Sequence, residues 1–158
     1  MKTTYGYLSL KKVVAAALGV LFLGSPLSAE TPPRGWKREA VPGQWRCLVP
    51  ADWRRQKPVF EPDRGPIYTD GICRIKVARY DATGPGPANP QEFLDESIAL
   101  GYPFKPAEAL KVSGRPAQRW TRWREVRLHP RDGGGTEMIY DEVVFLPDPN
   151  GFWALSFN

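Results

Sequence analysis

The sequence is poor in the residues from which most reaction centres are built. Its 158 residues include one His, two Cys and two Met. With His129 as the sole imidazole and Cys47 and Cys73 as the only thiols, a Cys/His metal site lacks ligands, and no metal is expected. The two cysteines do not stand at the Cys-x-x-Cys spacing of redox pairs. Beyond residue 29 the serines are Ser97, Ser113 and Ser156, and none sits in Gly-x-Ser-x-Gly. His129 therefore has no motif-supported nucleophile and is read as a surface residue; no catalytic residue is assigned. The Gly-rich Asp132-Gly133-Gly134-Gly135 is followed by strand-forming residues instead of a helix, so it reads as a hairpin turn and not as a phosphate cradle. No cofactor is expected.

Long apolar runs are also scarce. One stands out, Val13 to Leu23, preceded by Lys2, Lys11 and Lys12 and followed by Gly24-Ser25-Pro26. It is too short to span about 30 Å of hydrocarbon and fits the core of a secretory signal over residues 1–29. Ser28 and Ala29 are small, as cleavage after Ala29 requires, although Leu27 is bulky for its place; the alternative is an uncleaved anchor. The expectation is a periplasmic or extracellular protein with no stable membrane span after cleavage. Strong charge of one sign is missing too. The signal holds three Lys and no acid, so 22 basic and 17 acidic residues fall to 19 and 17, and the net charge from +5 to +2. Nucleic acid is not expected as a partner, because that role needs a strong basic field. In an oxidising compartment the even pair Cys47 and Cys73 is expected to form a disulfide, worth about 3–4 kcal/mol in the chain-entropy model.

What remains is ordinary for a packed domain: 42% hydrophobic, 25% charged, with six Trp. Residues 30–43 are rich in Pro and Gly and read as an irregular lead-in to a single domain over 44–158. Gln44 to Val49 alternates as a strand, with Trp45, Cys47 and Val49 on one side, and ends at the turn Pro50-Ala51-Asp52-Trp53. Val59-Phe60 is a short strand, and Ile67 to Tyr80 a strand pair turned at Asp70-Gly71, with Cys73, Ile75 and Val77 inward. One helix begins at Asn89, a good cap, with Pro90 at the first position and Glu92 at the third. Phe93, Leu94 and Ile98 share its apolar face, and Gly101 ends it. Strands follow over 109–112, 117–129, 136–146 and 152–157, the first closing on the turn Ser113-Gly114-Arg115. The fold class is α+β, an antiparallel meander with an inserted helix.

The order of these features resembles the PsbP-like family over residues 44–157. The matching segments are Pro50-Ala51-Asp52-Trp53, Asn89-Pro90-Gln91-Glu92-Phe93-Leu94, Val112-Ser113-Gly114-Arg115-Pro116-Ala117 and Asp148-Pro149-Asn150-Gly151-Phe152. The resemblance implies an α/β/α sandwich around an antiparallel sheet. It also implies a non-catalytic binding or accessory protein, as among photosystem II assembly factors and secreted bacterial relatives. It carries over no catalytic residue. The family usually continues into a long C-terminal helix, whereas this sequence stops at Asn158. A truncated sequence, or a sheet face left exposed or covered by a partner, is the expectation.

The most unusual stretch is Arg119-Trp120-Thr121-Arg122-Trp123-Arg124-Glu125-Val126-Arg127. Arg beside Trp can hold an anionic or sugar-like ligand through bidentate hydrogen bonds and stacking. The hairpin partner carries Glu137, Asp141 and Glu142, so cross-strand ion pairs are expected to neutralise the Arg row. Asp141 and Glu142 are strand neighbours and point to opposite faces, as do Trp120 and Trp123 unless a bulge intervenes. The functional expectation is an accessory protein contacting another protein or an envelope component. Arg119, Arg122, Trp123, Arg124 and Arg127 form its candidate surface. A small-ligand binder using the same strand is the alternative, and a hydrolase involving His129 the last.

Overall fold

A computed structural model describes residues 21–22, 31–41, 45–56, 65–112, 114–129 and 134–158. The expected signal falls outside them except for Leu21–Phe22, as does the expected strand at Val59-Phe60. The described residues are mostly antiparallel sheet with one short helix. They fall into two compact units. One takes the chain up to Trp53 with Val112–Arg115, and the other takes Arg54–Lys111 and Pro116–Asn158.

The first unit holds β1 (Leu21–Phe22), β2 (Trp36–Val41) and β3 (Trp45–Pro50), in the order β1-β3-β2. The lead-in is thus not irregular throughout: Trp36 to Val41 pairs with β3 along its whole length, Trp36 opposite Pro50 and Val41 opposite Trp45. Cross-strand hydrogen bonding overrides the weak local pattern of 36–41. Cys47 and Val49 are buried on one side of β3, as alternation requires. Pro50 to Trp53 turns the chain, with the Trp53 N–H donating to the Pro50 carbonyl at 3.1 Å. Lys37 Nζ donates to the Trp53 carbonyl at 2.6 Å.

The second unit is built on a sheet in the order β4-β5-β6-β11-β10-β9-β7. Its strands are β4 (Arg54–Gln56), β5 (Ile67–Thr69), β6 (Arg74–Asp81), β7 (Lys105–Pro106), β9 (Arg115–Arg127), β10 (Thr136–Asp148) and β11 (Gly151–Phe157). β8 (Leu110–Val112) precedes the turn into β9. The β5–β6 hairpin turns at Asp70, whose Oδ1 accepts from the Ile72 and Cys73 N–H groups at 2.8 Å each. β10 and β11 turn through Asp148 to Gly151, as the sequence predicts. Gly151 sits at φ +151°, and a Cβ there would lie 1.9 Å from the Tyr80 carbonyl oxygen. Only glycine lets β6 and β11 approach so closely. Both ends of the sheet are short: β4 is three exposed residues, and β7 is two.

The helix α1 (Pro90–Ala99) begins as its sequence dictates. Asn89 Oδ1 accepts from the Glu92 N–H at 3.0 Å, and Glu92 Oε2 accepts from the Ala88 N–H at 2.8 Å. Its C-terminus closes with the Tyr102 N–H on the Ser97 carbonyl at 3.1 Å and the Gly101 N–H on the Ile98 carbonyl at 2.8 Å. Gly101 takes the left-handed conformation this closure needs. The inward line of α1 is Phe93, Leu94 and Ser97, and Ile98, expected on the apolar face, is 56% exposed.

Leu94 packs with Val143, Phe145, Phe152 and Ala154 on one face of the sheet, and Tyr80, Phe93, Phe104 and Trp120 close the cluster. Its rings interlock: Tyr80 stacks on Phe152 at 4.9 Å, and Phe93 meets Phe145 edge-on at 5.2 Å. The opposite face carries Tyr68, Ile75, Val77, Val144, Leu146, Leu155 and Phe157, and all are buried.

Candidate functional site

β9 and β10 pair without interruption from Gln118 opposite Phe145 to Arg127 opposite Thr136. No bulge intervenes, so strict alternation sorts the Arg/Trp stretch between two faces. Trp120, Arg122, Arg124, Asp141 and Val143 lie on the α1 side. Arg119, Thr121, Trp123, Tyr140 and Glu142 lie on the other. Trp120 accordingly joins the core while Trp123 is 47% exposed.

Cross-strand ion pairs form at Asp141 and Glu142 but not at Glu137 among the described residues, and they are split by face. On one side Asp141 is held by two guanidinium groups. Arg122 Nε and Arg124 Nε each donate to Asp141 Oδ2 at 2.6 Å, and Arg124 Nη2 reaches Oδ1 at 3.4 Å. Arg122 is fixed further by its Nη1 on the Tyr102 carbonyl at 3.0 Å and by the Phe104 ring, 4.2 Å below its guanidinium carbon. On the other side Glu142 Oε2 accepts from Arg119 Nη2 at 2.8 Å and from the Tyr140 hydroxyl at 3.1 Å. Arg119 Nη1 also reaches the exposed Glu108 at 3.2 Å. The Glu142 side chain is fully enclosed, and its Oε1 and Arg119 Nε are buried without hydrogen-bond partners. Hydrogen bonding to Glu142 raises the Arg119 pKa, against a smaller opposing effect of burial. Burial, then the Glu142 charge, pushes the Tyr140 phenol up.

Further out the hairpin is a bare ribbon. β11 pairs with β10 only from Glu142 to Asp148, and β7 meets β9 only at Trp120 and Thr121. From Thr136 to Asp141, β10 has β9 alone as a strand neighbour among the described residues. This ribbon presents Trp123, its ring 5.0 Å from Tyr140, and Met138, 57% exposed. Arg127 and Glu137 lie here and have no ion pair among the described residues. His129 is exposed beyond the last paired residues. Of the predicted surface residues, Arg119 thus faces the enclosed Glu142, Arg122 and Arg124 share Asp141, and Trp123 and Arg127 belong to the exposed ribbon. That Glu142 is an enclosed group was not expected from its residue type. The signal was its place at the start of the apolar run Val143 to Leu146.

Cys47 lies in the first unit and Cys73 in the second, and both are thiols in this structure. Burial and then Glu39 push the Cys47 thiol up to about 12, and burial and then Asp70 raise that of Cys73. No group of three or more His, Cys, Asp or Glu is placed to hold a metal ion among the described residues. No helix among them is long and apolar enough to cross a membrane. No protein-family model and no curated protein matches the chain.

Proposed function

We propose that the chain is a non-catalytic accessory protein of the PsbP-like kind, periplasmic or extracellular, that binds another protein or an envelope component through the outer β9–β10 ribbon. The observation that carries this reading is the ribbon itself. Among the described residues it is two strands wide, and it presents Trp123 and Met138 to solvent. Two-stranded hairpins are marginal alone, and large exposed apolar side chains mark contact surfaces. Arg119 is paired with Glu142, and Arg122 and Arg124 share Asp141, so Trp123 and Arg127 are the predicted residues left to the outer surface. Native mass spectrometry of protein isolated from the envelope fraction tests it. A stoichiometric protein partner that Trp123→Ala releases supports the reading; a bare monomer in both forms refutes it.

The pairing of Cys47 with Cys73 stays part of the proposal. It rests on the expected compartment and on two cysteines having no other use. Thiol counting on exported protein under oxidising conditions should find none, and two reactive thiols would remove the disulfide.

A further inference from the structure

We propose that Arg122 and Arg124 form a subsite for a tetrahedral oxyanion of the phosphate type, with Asp141 as the residue that positions them. This rests on reading the chain as a binding protein, and it names a chemistry for the α1-side face of the same strand. Two guanidinium groups grip one carboxylate, so the cluster keeps an excess of one positive charge. Both are partly enclosed, with side chains 18% and 23% exposed. Charge in such a place is less screened than on an open surface.

The donor count points the same way. Arg122 uses Nε on Asp141 and Nη1 on the Tyr102 carbonyl; Arg124 uses Nε and Nη2 on Asp141. Arg122 Nη2 and Arg124 Nη1 donate to no acceptor among the described residues. Neither is among the buried polar atoms without partners, so both open to solvent. Each guanidinium therefore has N–H groups to spare while its plane is already fixed, Arg122 by Asp141, Tyr102 and Phe104 together. Such preorganisation removes much of the ordering cost of binding. The spare donors belong to two separate groups flanking one oxygen. A planar carboxylate matches a single fork. A tetrahedral oxyanion directs oxygens several ways and can accept from both.

The test is a titration of the full chain with inorganic phosphate, followed by the NMR signals of the Arg side chains, with acetate as the comparison. Saturable one-site binding of phosphate, tighter than acetate, is expected. Arg122→Gln and Arg124→Gln should each weaken it about tenfold, the loss of one charge-assisted hydrogen bond. Each variant leaves Asp141 one guanidinium, so the fold should persist. Arg122→Lys, which keeps the charge but loses the fork, provides a second variant and should weaken binding as well. Trp123→Ala, on the opposite face, should bind phosphate as wild type does. The proposal is overturned by an absence of saturable binding, by equal binding in the Gln variants, or by acetate binding as tightly as phosphate. The ribbon's protein partner is lost or kept independently, through Trp123, so the two readings fail separately.

Discussion

From Glu142 to Phe145, β10 is hydrogen-bonded to β9 on one side and to β11 on the other; from Thr136 to Asp141 it has β9 alone among the described residues. In the inner half, Val143, Val144 and Phe145 are at most 1% exposed. In the outer half, Met138 and Trp123 stand in water. One pair of strands thus serves as core and as surface, with the apolar run Val143 to Leu146 in the inner half and Arg122, Arg124, Arg127 and Glu137 in the outer. The inner half of β10 also has a strand neighbour on each side, which a strand's own sequence does not state.

The largest break in this comparison should come from Phe145→Ala. Its ring meets Phe93 and Phe152 in the α1-side cluster, and its loss should cost about 4 kcal/mol in urea unfolding. A cost under about 1 kcal/mol would mean the inner half is not the core. Next comes Glu142→Ala, which leaves Arg119 with only the exposed Glu108 and should cost about 3 kcal/mol. Replacing both partners, Glu142→Leu with Arg119→Met, should cost far less, because a buried ion pair with two unpartnered atoms gives back little of its desolvation. If the double replacement is as damaging as the single one, the pair stabilises the fold on its own account. The smallest effect belongs to the outer half. Trp123→Ala should lower stability by only about 1 kcal/mol, the worth of its contact with Tyr140, while abolishing partner binding.

Local chemistry made part of this legible in the sequence. The start of α1 follows from Asn89, Pro90 and Glu92, and the β5–β6 turn from Asp70-Gly71, because each needs only neighbours along the chain. The ion pairs of the Arg row were legible for a related reason: β9 and β10 are consecutive antiparallel strands of opposite charge, and their register sets Arg122 opposite Asp141. Three features were not legible. β2 is defined by its ladder to β3, and its own residues alternate poorly. Ile98 fits the apolar stripe of α1, yet the sheet meets the helix along Phe93, Leu94 and Ser97. The enclosure of Glu142 depends on β11 lying beside β10 and on packing over that face, which no local pattern encodes.

The short ends of the sheet have a consequence for the protein at high concentration. An open sheet offers unpaired backbone at each margin, and a long flat margin is a seed on which further chains can add. Here one margin is Arg54-Arg55-Gln56, whose two like charges repel a second copy laid against them. The other is Lys105-Pro106, where proline supplies no N–H for a new ladder. Strand addition is thereby discouraged at these two margins, which leaves the unpaired edges of the outer β9–β10 ribbon as the backbone on which another strand could add.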